Sequence, residues 1–167
     1  MGPMYDFAFD ESQPKSERYR QLVEAAGSLV HGERDEIANM ANVAALLWEA
    51  LPDINWAGFY RVDRSVAGGE LVLGPFAGKP ACIRIPFGIG VCGAAAASGE
   101  TQLVEDVEAF PGHIACDAAS RSELVVPVLR DGKLIAVIDI DSPQLARFDA
   151  EDAAGIESLA ARIAPAI

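Results

Sequence analysis

The stretch SELVVPVLRDGKLIAVIDIDS, residues 122–142, decides the fold. Two apolar, β-branched runs flank Asp131 and Gly132. An Asp-Gly pair tolerates the positive φ that a two-residue hairpin turn demands, so the stretch predicts two antiparallel strands. Residues two apart in a strand share a face, which sends Ile138 and Ile140 into a core and leaves Asp139 and Asp141 together on the other side. Carboxylates on a strand face are often merely solvated. Glu123, however, opens the first strand of the same hairpin, so three acids can converge on one patch. Crowded anions raise one another's pKa, and at least one of the three is expected to keep its proton near neutrality.

Working outward, strand-like segments occur at INWAGFYRV (54–62), ELVLGPF (70–76), CIRIPF (82–87) and TQLVED (101–106). Helical spacing covers 17–30 and 34–51, and in the second run Ile37, Met40, Ala41, Ala44, Leu47, Trp48 and Leu51 form one stripe. Pro52 then ends the helix. The final segment FDAEDAAGIESLAARIAPAI returns to helix, with Asp149 as its N-cap. Helices, then about six mostly hairpin-connected strands, then a helix, predict an α+β domain with an antiparallel sheet covered by helices. Residues 1–16 read as a tail and 17–167 as one domain, a size sufficient for a real core.

The 13 basic and 25 acidic residues leave a net charge of −12. That balance repels phosphate backbones and anionic lipid, so neither nucleic acid nor a membrane is expected as a partner. No apolar run is long enough to span a bilayer, and the start MGPMYDFAFDESQPKSE lacks a charged leader with an apolar core. A cytoplasmic location is therefore expected. The three cysteines, Cys82, Cys92 and Cys116, should be thiols at rest, with any disulfide transient.

Three further stretches carry chemistry. FGIGVCG (87–93) places Gly88, Gly90 and Gly93 in a G-x-G-x-x-G pattern, but only a short helix can follow it. The glycines are better read as shaping a turn into a helix with Cys92 near its N-terminus. In NWAGFYR (55–61), Trp56, Gly58 and Tyr60 share a face; the aromatics either fill core or line a pocket, with Gly58 as a notch between them. The long irregular stretch 107–122 includes PGHIACDAAS, where Cys116 follows a glycine turn and His113. Cys116 is the best nucleophile of the three, while Cys82 and Cys92 also suit inert core positions. A zinc set of Cys82, Cys92, His113 and Cys116 lacks the tight knuckle of structural sites, so no metal is expected.

The segments NWAGFY, LVLGPFAGKPACIRIPFGIGVCG, GETQLVEDVEAFPGHIACDAASRSE and VIDIDSP resemble the free methionine-(R)-sulfoxide reductase family, which is built on a GAF domain. The resemblance implies a GAF-like sheet and thiol-dependent reduction of free methionine-(R)-sulfoxide. It implies Cys116 as the catalytic thiol, Cys82 as its resolving partner in an intramolecular disulfide, and Cys92 as an auxiliary thiol. Glu123, Asp139 and Asp141 match the family's acids, with Glu123 and Asp141 as proton donors and Asp139 towards the substrate ammonium. Trp56 and Tyr60 match its pocket aromatics. The substrate carboxylate is assigned to backbone N–H groups around Val107, Ala109 and Phe110. No bound cofactor is implied; reducing equivalents come from thioredoxin and, through thioredoxin reductase, from NADPH. A homodimer is expected by the same analogy. The rival reading is a GAF module that senses a small molecule without catalysis.

Overall fold

In the computed structural model, which describes residues 10–113 and 117–167, the chain runs through α1 (Lys15–Leu29), α2 (Glu36–Ala50), β1 (Trp56–Asp63), β2 (Glu70–Gly78), β3 (Arg84–Pro86), α3 (Gly90–Ser98), β4 (Gln102–Val104), β5 (Ser122–Arg130), β6 (Lys133–Ser142) and α4 (Ala150–Ile163). Asp131 and Gly132 take φ of 52° and 77°, as a type I′ hairpin turn requires. The strands form one antiparallel sheet in the order β3-β2-β1-β6-β5-β4. This is the α+β architecture expected.

Strand alternation divides the molecule into two apolar layers. Ala57, Phe59, Leu124, Val126, Ile138 and Ile140 leave one face of the sheet and are buried beneath α1, α2 and α4. Each such large aliphatic side chain contributes roughly 1.5–3 kcal/mol by leaving water. Trp56, Tyr60, Val125 and Val137 leave the other face and pack with Val91, Cys92 and Ala95 of α3. Among the described residues, α3 is the one α-helix that covers that second face, so the sheet is only partly roofed there.

Local chemistry explains the boundaries. Asp149 caps α4 by accepting from the N–H groups of Glu151 and Asp152, and Asp152 returns a bond to the Asp149 N–H. Asp152 also accepts from the Tyr19 hydroxyl at 2.7 Å and from Lys15 Nζ at 3.0 Å, which fastens α1 to α4. The edge strands are shorter than the sequence predicts. Just past β4, the Asp106 side chain accepts from Glu108 N–H and turns the backbone into a 3₁₀ turn at Val107–Ala109.

The expected stripe on α2 is corrected. Met40, Ala44, Leu47 and Leu51 are buried, but Ile37 and Trp48 are 48% and 43% exposed, and Val43 and Leu46 take their place. This helix is apolar on nearly every side, so periodicity alone does not select the face that meets the sheet.

Candidate active site

The partly roofed face holds a pocket whose floor is the sheet and whose wall is the start of α3. Cross-strand register builds the floor. Glu123 pairs with Asp141 across β5 and β6, and Asp141 pairs with Trp56 across β6 and β1. One row further along, Asp139 sits between Val125 and Gly58. All three acids therefore face the pocket, while Ile138 and Ile140 are fully buried on the opposite side.

Trp56 and Tyr60 serve both roles left open by the sequence, since they line the pocket and belong to the second apolar layer. Their rings stack at 5.8 Å, and Phe76 stacks on Trp56 at 5.1 Å. Trp56 Nε1 donates to the Lys79 carbonyl at 3.1 Å, and the Tyr60 hydroxyl donates to the Cys82 carbonyl at 2.9 Å. The aromatics thus tether the β2–β3 connection that carries Cys82. The notch expected at Gly58 is corrected: Phe76 fills it, and a Cβ added there would collide with Phe76 Cβ.

The cysteines differ in setting. Cys82 is partly buried and disulfide-bonded. Cys92 is a free, fully enclosed thiol at the start of α3, with Sγ 3.9 Å from Glu123 Oε1. Gly93 makes this placement possible, because a Cβ there would lie 2.6 Å from the Pro86 carbonyl oxygen. Cys116, the nucleophile expected from sequence, lies outside the described residues.

Electrostatics at the floor are unusual for a protein of net charge −12. Burial, then the charges of Asp139 and Asp141, push the Glu123 carboxyl well above its usual range. Burial, then Asp139, does the same to Asp141. Asp139 is raised to about 6, chiefly by burial, with hydrogen bonds from Glu123 and Cys92 acting against the shift. The Cys92 thiol is pushed well up by burial and by Asp139 and Glu123. Such a cluster holds protons at neutral pH, so it can donate one while retaining negative charge for a cationic group.

Four polar residues that line the pocket were not among the expected site residues: Lys79, His113, Asp117 and Ser120. His113 Nε2 stands 3.9 Å from Glu123 Oε2, and burial lowers its pKa. Lys79 Nζ lies 3.7 Å from Asp117 Oδ1 at the rim. Asn55 donates to Asp117 Oδ2 and Ser120 Oγ, tying this loop to the sheet. Asp117 and Ser120 sit in the stretch that drew attention to Cys116, but nothing in their spacing marks them as pocket residues.

The segment expected to bind a carboxylate has no free backbone donor. Val107 N–H donates to the Arg121 carbonyl, Ala109 N–H to the Asp106 carbonyl and Phe110 N–H to the Val107 carbonyl. Val107 is buried and Phe110 packs against the second apolar layer. The pocket instead exposes the start of α3, where Gly90, Val91 and Cys92 line it and no side chain caps the helix. The first N–H groups of a helix lack intrahelical acceptors and carry partial positive charge.

Comparison with known proteins places this geometry. Residues 36–167 match the GAF domain family. The chain is 50% identical over 149 residues to the free methionine-R-sulfoxide reductase of Escherichia coli, covering 89% of this chain and 88% of that one. It is 46% identical over 151 residues to the enzyme of that name from Saccharomyces cerevisiae, covering 87% and 83%. The X-ray structure of free methionine-R-sulfoxide reductase from Neisseria meningitidis in complex with its substrate superposes with a TM-score of 0.90 at 48% identity, covering 97% of this chain and 95% of that one. The chain belongs to the GAF-domain family of free methionine-(R)-sulfoxide reductases. Among the described residues, no helix is long and apolar enough to cross a membrane.

Proposed function

We propose that this protein reduces free methionine-(R)-sulfoxide to methionine at the pocket between the sheet and α3. The observation that carries the reading is a cluster of three carboxyls beside Trp56 and Tyr60, of which Glu123 and Asp141 retain their protons at neutral pH while Asp139 titrates at about 6. A thiolate attacks the sulfoxide sulfur, and the oxygen departs only once protonated, so a nucleophile must work opposite an acid. Glu123 and Asp141 supply the proton. Cys116 supplies the thiolate and ends as a sulfenic acid, having taken the oxygen while the methionine sulfur gains two electrons. Cys82 then displaces water to form a disulfide, which an external dithiol reduces. The oxidised state of Cys82 supports its place in that cycle.

Restriction to the free amino acid follows from two poles of the pocket. Asp139 and its neighbours receive the ammonium. The start of α3 and Lys79 receive the carboxylate, in place of the segment around Val107. Thioredoxin as the dithiol, a homodimer and a cytoplasmic setting belong to the same reading.

The test is a coupled assay in which NADPH consumption is followed with thioredoxin, thioredoxin reductase and methionine sulfoxide. Turnover is expected with the free R epimer. N-acetylation removes the charge that pairs with the acids and is expected to cost at least ~100-fold in rate. Equal turnover of a peptide-bound sulfoxide, or ligand-dependent melting without NADPH consumption, would overturn the reading in favour of another substrate or of a sensor.

A further inference from the structure

The free thiol Cys92 has no assigned step in that chemistry, yet it is set among ligating groups. Its Sγ, a Glu123 oxygen and an Asp139 oxygen all lie within 4.8 Å of one another, and all three residues are buried. Asp139 Oδ1 is buried and has no hydrogen-bond partner among the described residues. His113 stands outside this trio, with Nε2 3.9 Å from the second Glu123 oxygen, Oε2. Neighbouring ligand atoms around tetrahedral zinc stand roughly 3.3–3.5 Å apart, as bonds of about 2.0–2.3 Å require. The 3.9 Å between Cys92 Sγ and Glu123 Oε1 needs only a few tenths of an ångström of closure. The three donors sit on α3, β5 and β6, whose packing fixes their directions.

We propose that the reduced protein binds one zinc-class divalent cation through Cys92 Sγ and carboxylate oxygens of Glu123 and Asp139, with the fourth position open to the pocket, and that this cation blocks the pocket. The thiolate favours zinc over magnesium and calcium, which prefer an all-oxygen shell. The cation displaces protons from the thiol and from the carboxyls; no electron moves. Its charge neutralises groups that otherwise repel one another, and it engages the unpartnered Asp139 oxygen. Occupancy also removes Glu123 and Asp139 from any ligand of the pocket. This donor set shares only Cys92 with the cysteine-rich set considered from sequence.

The experiment is a cobalt titration of the full chain reduced with a phosphine. One equivalent of Co²⁺ should produce a thiolate-to-cobalt charge-transfer band in the near ultraviolet, and Zn²⁺ should bleach it stoichiometrically. Cys92→Ser should abolish the band. The isosteric Asp139→Asn, which is expected to keep the fold, should weaken zinc by roughly 10- to 100-fold. Cys82→Ser should leave the band intact. No band in the wild type, a band that survives Cys92→Ser, or one lost with Cys82→Ser overturns the site. Where sulfoxide reduction is measured, it should fall in step with zinc occupancy, and full activity at saturation overturns the block. A chain without reductase activity would sink the functional reading and still leave cobalt to decide this one.

Discussion

Glu123 and Asp141 lie directly opposite each other on β5 and β6, both facing the pocket. Like charges in that relation destabilise a sheet, and here burial raises the cost further. The pair persists by keeping protons, which suits it to acid catalysis. Asp141→Asn and Glu123→Gln should each slow sulfoxide reduction by roughly 10²- to 10⁴-fold with little loss of stability. In the wild type the chemical step should also decline on the alkaline side, as the pair loses its proton. Full activity in both variants, measured by methionine release, would end the case for an acid at this row.

Asp139 gives the pH dependence of stability. Its carboxyl is raised from 3.8 to about 6, so the folded chain holds this proton more tightly than the unfolded one. The resulting stabilisation is complete below the unfolded value and is lost as pH rises through about 6. Above that, ionised Asp139 is a liability with an upper bound on the order of 3 kcal/mol. Asp139→Asn should therefore raise stability at pH 8 and have little effect at pH 4, while impairing substrate binding. Urea unfolding at both values in EDTA checks this; an equal gain at the two pH values would show that charge is not the cause.

The hairpin and its acids were legible because alternation and an Asp-Gly turn are local signals. Asp139, Asp141 and Glu123 share a face for the reason their spacing gives. The α2 face was not legible, since Ile37 and Trp48 are as apolar as Val43 and Leu46, and only tertiary packing chooses between them. Lys79 and His113 reach the pocket from loops whose paths depend on distant bonds, such as the one from Trp56 Nε1 to the Lys79 carbonyl. Spacing did not reveal that the N–H groups around Val107 already have acceptors, the Arg121 carbonyl for Val107 and the turn's own carbonyls for Ala109 and Phe110.

Gly58 tests that packing. A Cβ at this position would meet Phe76 Cβ and would lie 2.8 Å from the Pro75 carbonyl oxygen, where the register of β1 and β2 shifts. Backbone on one side and a stacked ring on the other leave little room to yield. Gly58→Ala should cost about 1–3 kcal/mol and displace Phe76 from Trp56. Trp56 fluorescence and urea denaturation report both effects. A variant as stable as the wild type, with unchanged emission, would show that the strand can shift at no cost.

The order of thiol chemistry separates three cysteines by role. Cys116→Ser lacks the attacking sulfur and should release no methionine even in one turnover without reductant. Cys82→Ser leaves attack intact and should release about one methionine per chain in a burst, then stall as a sulfenic acid. Whether Cys92 rescues that stall depends on its thiolate. Burial and the neighbouring Asp139 and Glu123 push the Cys92 thiol well up, and resolution proceeds through the thiolate. The burst in Cys82→Ser should therefore be followed by turnover no faster than in Cys82→Ser with Cys92→Ser. Mass mapping of the wild type after one equivalent of substrate should find Cys82 joined to Cys116. A Cys92 bridge there, or a burst that survives Cys116→Ser and vanishes with Cys82→Ser, would reverse the assignment.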